Sequence, residues 1–137
     1  MSQIPPPPPG QPAPMGGTPG AVGGNKSLYT ILAWALFPPF GSLVMLFVGK
    51  TDPDVKYNAA QAVVIHGAAF IILVALWILA VIFFPLGILL LIWYFVEFVI
   101  WVIGLIMALQ SQGARFVFPV LGPMVASYIP AVEGWAK

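Results

Sequence analysis

The sequence contains few side chains that can do chemistry in an apolar setting, and Glu97 is the first of them. It is the only charged residue between positions 57 and 114. An ionised acid at the centre of a bilayer costs on the order of 3 kcal/mol or more, so Glu97 is expected to be neutral or paired. Two roles are open for it. A protonated Glu97 donates to the carbonyls of Trp34 and Ala35, or it forms a proton-linked or substrate site.

His66 is the only histidine, and it has a packing interpretation and a cofactor interpretation. Counted from the turn at Pro85, His66 and Gly104 are both nineteen residues away, so Gly104 is expected to make room for the imidazole. Alternatively His66 ligates a tetrapyrrole, because Ala62 one turn earlier leaves space for a flat macrocycle. This Ala-x-x-x-His pattern resembles the ligand motif of light-harvesting antenna helices. The residues predicted to pack the helices together are Ala62, Ala69, Gly104 and Ala108.

Asn58 and Gln61 are the remaining polar side chains near the start of an apolar helix. In a channel they would line a common path with Glu97. The sequence has no pair of neighbouring acids, no glycine-rich phosphate loop and no serine beside its lone histidine. It therefore predicts no enzyme.

Composition indicates a membrane protein. Of 137 residues, 61% are hydrophobic and only 7% are charged, far below the quarter that soluble surfaces need. The formal charge of +1 is too small for a nucleic-acid surface. The absence of cysteine excludes disulfides and thiolate metal sites.

The apolar stretches predict an all-α protein with three transmembrane helices, the first of them broken. Residues 28–49 carry no charge and are long enough to span the hydrocarbon core. Pro38 and Pro39 interrupt this stretch and remove two backbone donors. It is therefore either a kinked span or a re-entrant pair of half-helices, and its length favours the kinked span.

The second and third helices form a hairpin about the turn at residues 85–87. Asp52 is a predicted cap and Pro53 a predicted first helical residue before the apolar run of 57–84. The third helix runs from about Ile88 to Gln110, and Gly113 is its predicted stop.

Two flanking segments differ from this helical domain of residues 28–112. Residues 1–27 are rich in proline and glycine and predict a disordered tail. Residues 113–137 are interrupted by three prolines and predict a C-terminal segment at the membrane interface.

The cations predict the orientation in the membrane. If the first element crosses once, Lys50, Lys56, Arg115 and Lys137 lie on one side and Lys26 on the other. If it is re-entrant, all five share a side. Both arrangements put the first loop and the C-terminus in the cytoplasm.

The stretch from Asp52 to Ala62, DPDVKYNAAQA, precedes an apolar helix and resembles the signature of a family of small bacterial membrane proteins. That family is related to the twenty-kilodalton membrane subunit of the chloroplast inner-envelope import translocon. The resemblance covers about residues 28–123 and departs at the two prolines of the first element. It implies a multi-pass protein of the bacterial cytoplasmic (inner) membrane that acts in transport or complex assembly. The residues similar to the family's ending are Ala108, Leu109, Gln110, Gly113, Pro119 and Gly122.

Together these features predict a non-enzymatic accessory or assembly subunit of a larger membrane complex. One alternative is a homo-oligomeric channel or transporter component lined by Glu97, Asn58 and Gln61. Another is a pigment- or haem-binding subunit that uses His66. The expected partners are the lipid bilayer and other membrane subunits or further copies of the chain, without nucleic acid.

Overall fold

A computed structural model describes residues 25–36 and 38–137, and every regular element in them is helical. The predicted tail, residues 1–27, lies almost entirely outside the described part. The elements are α1 (Lys26–Ala35), α2 (Phe40–Val48), α3 (Pro53–Ile82), a 3₁₀ turn (Phe84–Leu86), α4 (Gly87–Ser111), α5 (Leu121–Val125) and α6 (Ile129–Glu133).

Two helices are long and apolar enough to cross a membrane. They span Pro53–Ile82 and Phe84–Ser111, with mean hydropathies of 2.7 and 2.5 in their most apolar windows. The sequence analysis expects three such helices. The difference arises in the first predicted helix, which the structure divides into two short ones.

The start of α3 follows the predicted capping pattern. The Asp52 carboxylate accepts hydrogen bonds from the backbone N–H groups of Asp54 (2.9 Å) and Val55 (3.1 Å). Pro53 is the first helical residue, where its missing N–H costs nothing. The predicted helix start is therefore confirmed.

The end of α4 depends on a glycine. Gly113 has φ +88°, which L side chains rarely adopt, and it follows Gln112 at φ 51°. A Cβ atom on Gly113 would also lie 2.6 Å from Cγ of Lys26, at the start of α1. Gly113 thus ends α4 as predicted and lets α1 begin close beside it.

The chain reverses direction between α1 and α2. The Ser42 hydroxyl donates to the carbonyl oxygen of Ala33 at 2.5 Å, although nine residues separate them. Lys26, which begins α1, is 2.8 Å from the carboxylate of Asp54, which follows α2. This pair of adjacent helices differs from the single kinked helix that the sequence analysis favours, because the two prolines and the Ser42 hydrogen bond end α1 and turn the chain back.

The C-terminal segment completes the core of the bundle. Residues 114–118 are extended, and α5 and α6 then pack against the first half of α3. The segment predicted to lie at the interface therefore supplies buried side chains, because its apolar residues meet α1 and α3. Those residues are Phe118, Ile129, Val132 and Ala136.

Packing is concentrated at one end of the α3–α4 hairpin. The buried residues of α3 all lie between Asp54 and Ala69. Residues 70–96, all of them described, form what we call the outer half of the hairpin, and Leu90 is its only buried residue. The remaining helices pack against the inner half, residues 53–69 and 97–111, which contains the other buried residues of both helices.

Candidate functional site

A hydrogen-bonded pair of ionisable side chains joins α3 to α4. Nδ1 of His66 lies 2.5 Å from Oε1 of Glu97. His66 is only 1% exposed, while the side chain of Glu97 is 27% exposed. The sequence analysis singles out both residues but does not pair them.

Trp34 on α1 covers this pair from the side. Its ring meets the His66 ring edge-on, with 5.4 Å between centroids, and stacks on Phe118 at 5.5 Å. A Cβ atom on Gly104 would lie 2.1 Å from Cε3 of Trp34. Gly104 therefore makes room for Trp34, and the prediction that it accommodates His66 is wrong, because a third helix enters between the two that were counted.

The predicted partner of Glu97 is also corrected. Its carboxylate contacts His66 rather than the carbonyls of Trp34 and Ala35. The broken element does reach this level of the bundle, since Pro38 lines a cleft together with Glu97 and His66. His66 is the partner of one carboxylate oxygen of Glu97, and the described residues supply no partner for the other.

Several buried polar atoms around the pair have no hydrogen-bond partner among the described residues. They belong to side chains on three helices and include both members of the pair. Buried polar groups in proteins are nearly always hydrogen-bonded, so such a concentration marks a candidate functional site. The atoms are Thr30 Oγ1, Trp34 Nε1, His66 Nε2 and Glu97 Oε2.

A neutral pair suits this environment. Two protonation patterns have no net charge: imidazolium with carboxylate, or neutral imidazole with carboxylic acid. In both, a proton lies between Nδ1 and Oε1. Nε2 of His66 carries a hydrogen unless the acid proton is on Oε2, in which case Nε2 is an acceptor and Oε2 a donor. A pair without net charge avoids the cost of an isolated charge in a low-dielectric site.

The surroundings of His66 bear on the tetrapyrrole hypothesis. Trp34 occupies the space beside the imidazole, and Nδ1 is already bonded to Glu97. The nitrogen left for the metal of a macrocycle is Nε2, which has no hydrogen-bond partner among the described residues. The tetrapyrrole hypothesis stays a prediction.

Asn58 and Gln61 are fully buried and bind the extended segment. Asn58 donates to the carbonyl of Ala114 (3.0 Å) and accepts from the N–H of Phe116 (3.2 Å). Gln61 donates to the carbonyl of Phe116 (3.1 Å) and accepts from the N–H of Phe118 (3.0 Å). Each amide thus satisfies one backbone acceptor and one backbone donor, as a neighbouring strand would.

The homo-oligomeric channel hypothesis stays a prediction, and in a single copy of the chain the amides of Asn58 and Gln61 bind backbone groups. Both side-chain amides are hydrogen-bonded to backbone groups, and neither side chain lines the cleft beside Glu97. The channel hypothesis needs all three side chains on one path, and the structure does not bring them together. Of the predicted packing residues, Ala62, Ala69, Gly104 and Ala108 are all buried.

A second polar cluster lies at the end of the bundle where α1 and α3 begin. Asp54 is 2.8 Å from Nζ of Lys26 and 3.4 Å from Nε of Arg115. The Arg115 guanidinium also lies over the Tyr57 ring, 4.4 Å from its centroid, and donates to the carbonyl of Pro53. These contacts tie α1, α3 and the extended segment together at one point.

Comparisons with protein-family models, with curated proteins and with solved structures found no match to this chain. The site is therefore interpreted from its own geometry.

Sequence reasoning missed Trp34 as the centre of the site and missed the extended segment. A partial signal for the segment exists in the β-branched and aromatic run from Phe116 to Phe118, which follows Gly113 and is bounded by Pro119. No comparable signal marks Trp34, because one aromatic residue in an apolar helix more often packs against lipid or a neighbour.

Proposed function

We propose that the chain is an integral membrane protein in which α3 and α4 cross the bilayer as a hairpin. At ~1.5 Å per residue, both helices exceed the ~30 Å hydrocarbon core. The outer half exposes large apolar side chains on all sides, among them Ile71 at 70% and Phe84 at 89%. Water would make this exposure costly, whereas lipid makes it favourable.

The α1–α2 pair enters this membrane as a re-entrant hairpin. Each helix has ten residues or fewer and reaches only ~15 Å at the helical rise, which is half the hydrocarbon core. Phe40 at its tip contacts Phe70 near the middle of α3. The fold therefore supports two crossings with one half-depth insertion.

The charges support a cytoplasmic location for the end of the bundle at which α1 and α3 begin, opposite the turn of the α3–α4 hairpin. Lys26 and Arg115 contact Asp54 there, and Lys50 donates to the carbonyl of Lys137. The turn at residues 84–86 carries no charge. The positive-inside rule then orients the turn away from the cytoplasm. The bacterial cytoplasmic membrane, as the family resemblance implies, is the proposed location.

Within this membrane we assign the chain the role of a non-enzymatic accessory or assembly subunit. One observation carries the assignment: apart from the contact of Phe70 with Phe40, the described residues leave the outer half of the α3–α4 hairpin uncovered, while the polar side chains of the inner half bind groups of the chain's own fold. A protein that uses its polar groups for its own fold and leaves an apolar hairpin uncovered is suited to binding another membrane protein through helix packing.

Site-specific photo-cross-linking in native membranes tests this role. A photoreactive residue at Ile71 or Phe95, both highly exposed in the outer half, is expected to give one discrete adduct with a defined membrane protein. The same residue at Trp135, exposed at the other end, is the matched control and gives no such adduct.

Two results would contradict the proposal. Adducts with lipid alone at both outer positions would indicate a protein without a helix-packing partner. Adducts with a second copy of the chain, together with a homogeneous oligomer in mild detergent, would indicate self-assembly instead.

A further inference from the structure

A cleft of about 100 Å³ opens beside the His66–Glu97 pair, and both members of the pair line it. The aromatic side chains of Phe70, Trp93 and Tyr94 form part of its wall. Phe70 and Tyr94 are partly exposed at the rim. The cleft therefore combines an ionisable pair with aromatic walls and an opening on the surface assigned to lipid.

The pair offers unused hydrogen-bonding atoms to a ligand. His66 is almost fully buried, and its Nε2 has no partner among the described residues; the same holds for Oε2 of Glu97. With the acid proton between Nδ1 and Oε1, Nε2 is a donor and Oε2 an acceptor, and with the acid proton on Oε2 the two roles are exchanged. A ligand that fits must offer an acceptor or a donor to these atoms.

The depth of the cleft restricts the ligand further. Glu97 lies twelve residues beyond Pro85, or ~18 Å at the helical rise, which places it near the middle of the hydrocarbon core. Headgroups of bilayer lipids reside at the interface, ~15 Å away from the midplane. A charged molecule at this depth is costly, so the ligand is uncharged.

The cleft, at about 100 Å³, has room for part of one ring, and the rest would extend through its open side. Engineered cavities of ~150 Å³ take up a single benzene molecule. Because this cleft is open on one side, a ring can carry an apolar tail that extends into the lipid. Trp93 and Tyr94 provide aromatic surfaces for offset or edge-to-face contact with such a ring.

The geometry points to a binding site for an uncharged six-membered ring that carries oxygen substituents and an apolar tail, which is the chemistry of membrane quinones and quinols. A ring carbonyl accepts from His66 Nε2, or a ring hydroxyl donates to Glu97 Oε2. The site binds its ligand without any requirement for a protein partner, so it stands independently of the proposed assembly role.

Photoaffinity labelling of the full-length protein in lipid nanodiscs tests the site. The probe is a decyl-substituted benzoquinone that carries an azide on the ring. Saturable labelling is expected within residues 70–73 and 93–97, mapped by mass spectrometry. Unlabelled decyl-benzoquinone should compete, and decylbenzene, which has the same tail and ring but no oxygen, should not.

Two variants that fill the cleft make the test specific. Ala69→Leu adds volume to the cleft and is expected to weaken labelling roughly tenfold or more. Ala75→Leu is the matched control, since Ala75 lies on the same helix in the exposed outer half. Because Ala69 is buried, Leu73→Trp from a partly exposed lining position provides a second blocking variant in case Ala69→Leu does not fold.

The outcomes separate clearly. Labelling spread along the exposed faces of α3 and α4 in proportion to probe concentration, and unchanged in both blocking variants, would overturn the site. Equal competition by decylbenzene would also overturn the site, because binding would then not depend on hydrogen bonds to the His66–Glu97 pair. Saturable labelling lost in either folded blocking variant and retained in Ala75→Leu supports it.

Discussion

The two halves of the α3–α4 hairpin are made from similarly apolar sequence but are built differently. The inner half packs against α1, α2 and the C-terminal segment and contains the buried polar side chains of α3 together with the partly exposed Glu97 of α4. The outer half, residues 70–96, has a single buried residue. Its side chain hydrogen bond from Trp77 to Tyr94 is exposed.

The difference shows which part of the hairpin can accommodate polar side chains. In the inner half every Asn, Gln, His and Glu side chain discussed above meets a partner that another element supplies. The outer half has no such element beside it, and accordingly it contains no charged residue. Substitutions should therefore have large effects in the inner half and small ones in the outer half.

The largest effect is expected from breaking the ionisable pair. His66→Leu leaves the Glu97 carboxyl without its partner inside the bundle, which should lower the free energy of unfolding by about 3 kcal/mol. Unfolding in mixed detergent micelles measures the change.

A double substitution provides the control for this prediction. Replacing both His66 and Glu97 by leucine removes the unpaired group, so the double variant should be more stable than His66→Leu alone. Strict additivity of the two single effects would contradict the assignment of a coupled pair.

The next largest effect concerns the attachment of the C-terminal segment. Asn58→Leu removes two hydrogen bonds and leaves a part-buried carbonyl and N–H without their partner, which should cost about 2 to 4 kcal/mol. Hydrogen exchange of residues 114–118 should accelerate. Gln110→Leu, at an exposed amide on α4, is the control. Unchanged exchange in Asn58→Leu would mean that the amide does not hold the segment.

A smaller effect follows from adding one methyl group to a glycine. Gly104→Ala places its Cβ against the Trp34 ring and should destabilise the fold by roughly 1 to 3 kcal/mol. Gly67→Ala, in the middle of α3 with no atom within 4 Å of the added Cβ, should be neutral or stabilising. Thermal stability in detergent compares the two, and equal effects would contradict the close approach of α1.

The smallest effect is expected in the outer half. Tyr94→Phe removes the hydroxyl that accepts from Nε1 of Trp77 at 3.0 Å. Because this contact is exposed, its loss should change the free energy of unfolding by less than about 1 kcal/mol. A loss as large as that of Asn58→Leu would remove the distinction between the two halves.

The long helices and their ends are the features that the sequence predicts best. The Asp52 cap, the turn at Pro85 and the stop at Gly113 depend on local geometry, so neighbouring residues specify them. Counting residues outward from Pro85 predicts which residues of α3 and α4 face each other near the turn. Trp77 and Tyr94, at almost equal numbers of residues from Pro85, are hydrogen-bonded to each other.

The candidate site was harder to predict because non-local elements form it. Register counting assumes that α3 and α4 touch directly, but Trp34 enters beside Gly104, and His66 then pairs with Glu97 instead. The roles of Asn58 and Gln61 depend on a segment more than fifty residues later in the chain. Neither contact follows from helical periodicity.

The central claim is that the α1–α2 pair enters and leaves the membrane on one side, opposite the turn of the α3–α4 hairpin. The protein has no cysteine, so single cysteines at Asn25, Gln112 and Phe84 can each be probed with a membrane-impermeant maleimide in intact cells and in inverted vesicles. Asn25→Cys and Gln112→Cys should react from the same side and Phe84→Cys from the other. Reaction of Asn25→Cys from the side of Phe84→Cys would show that the first element crosses the membrane and would contradict the account.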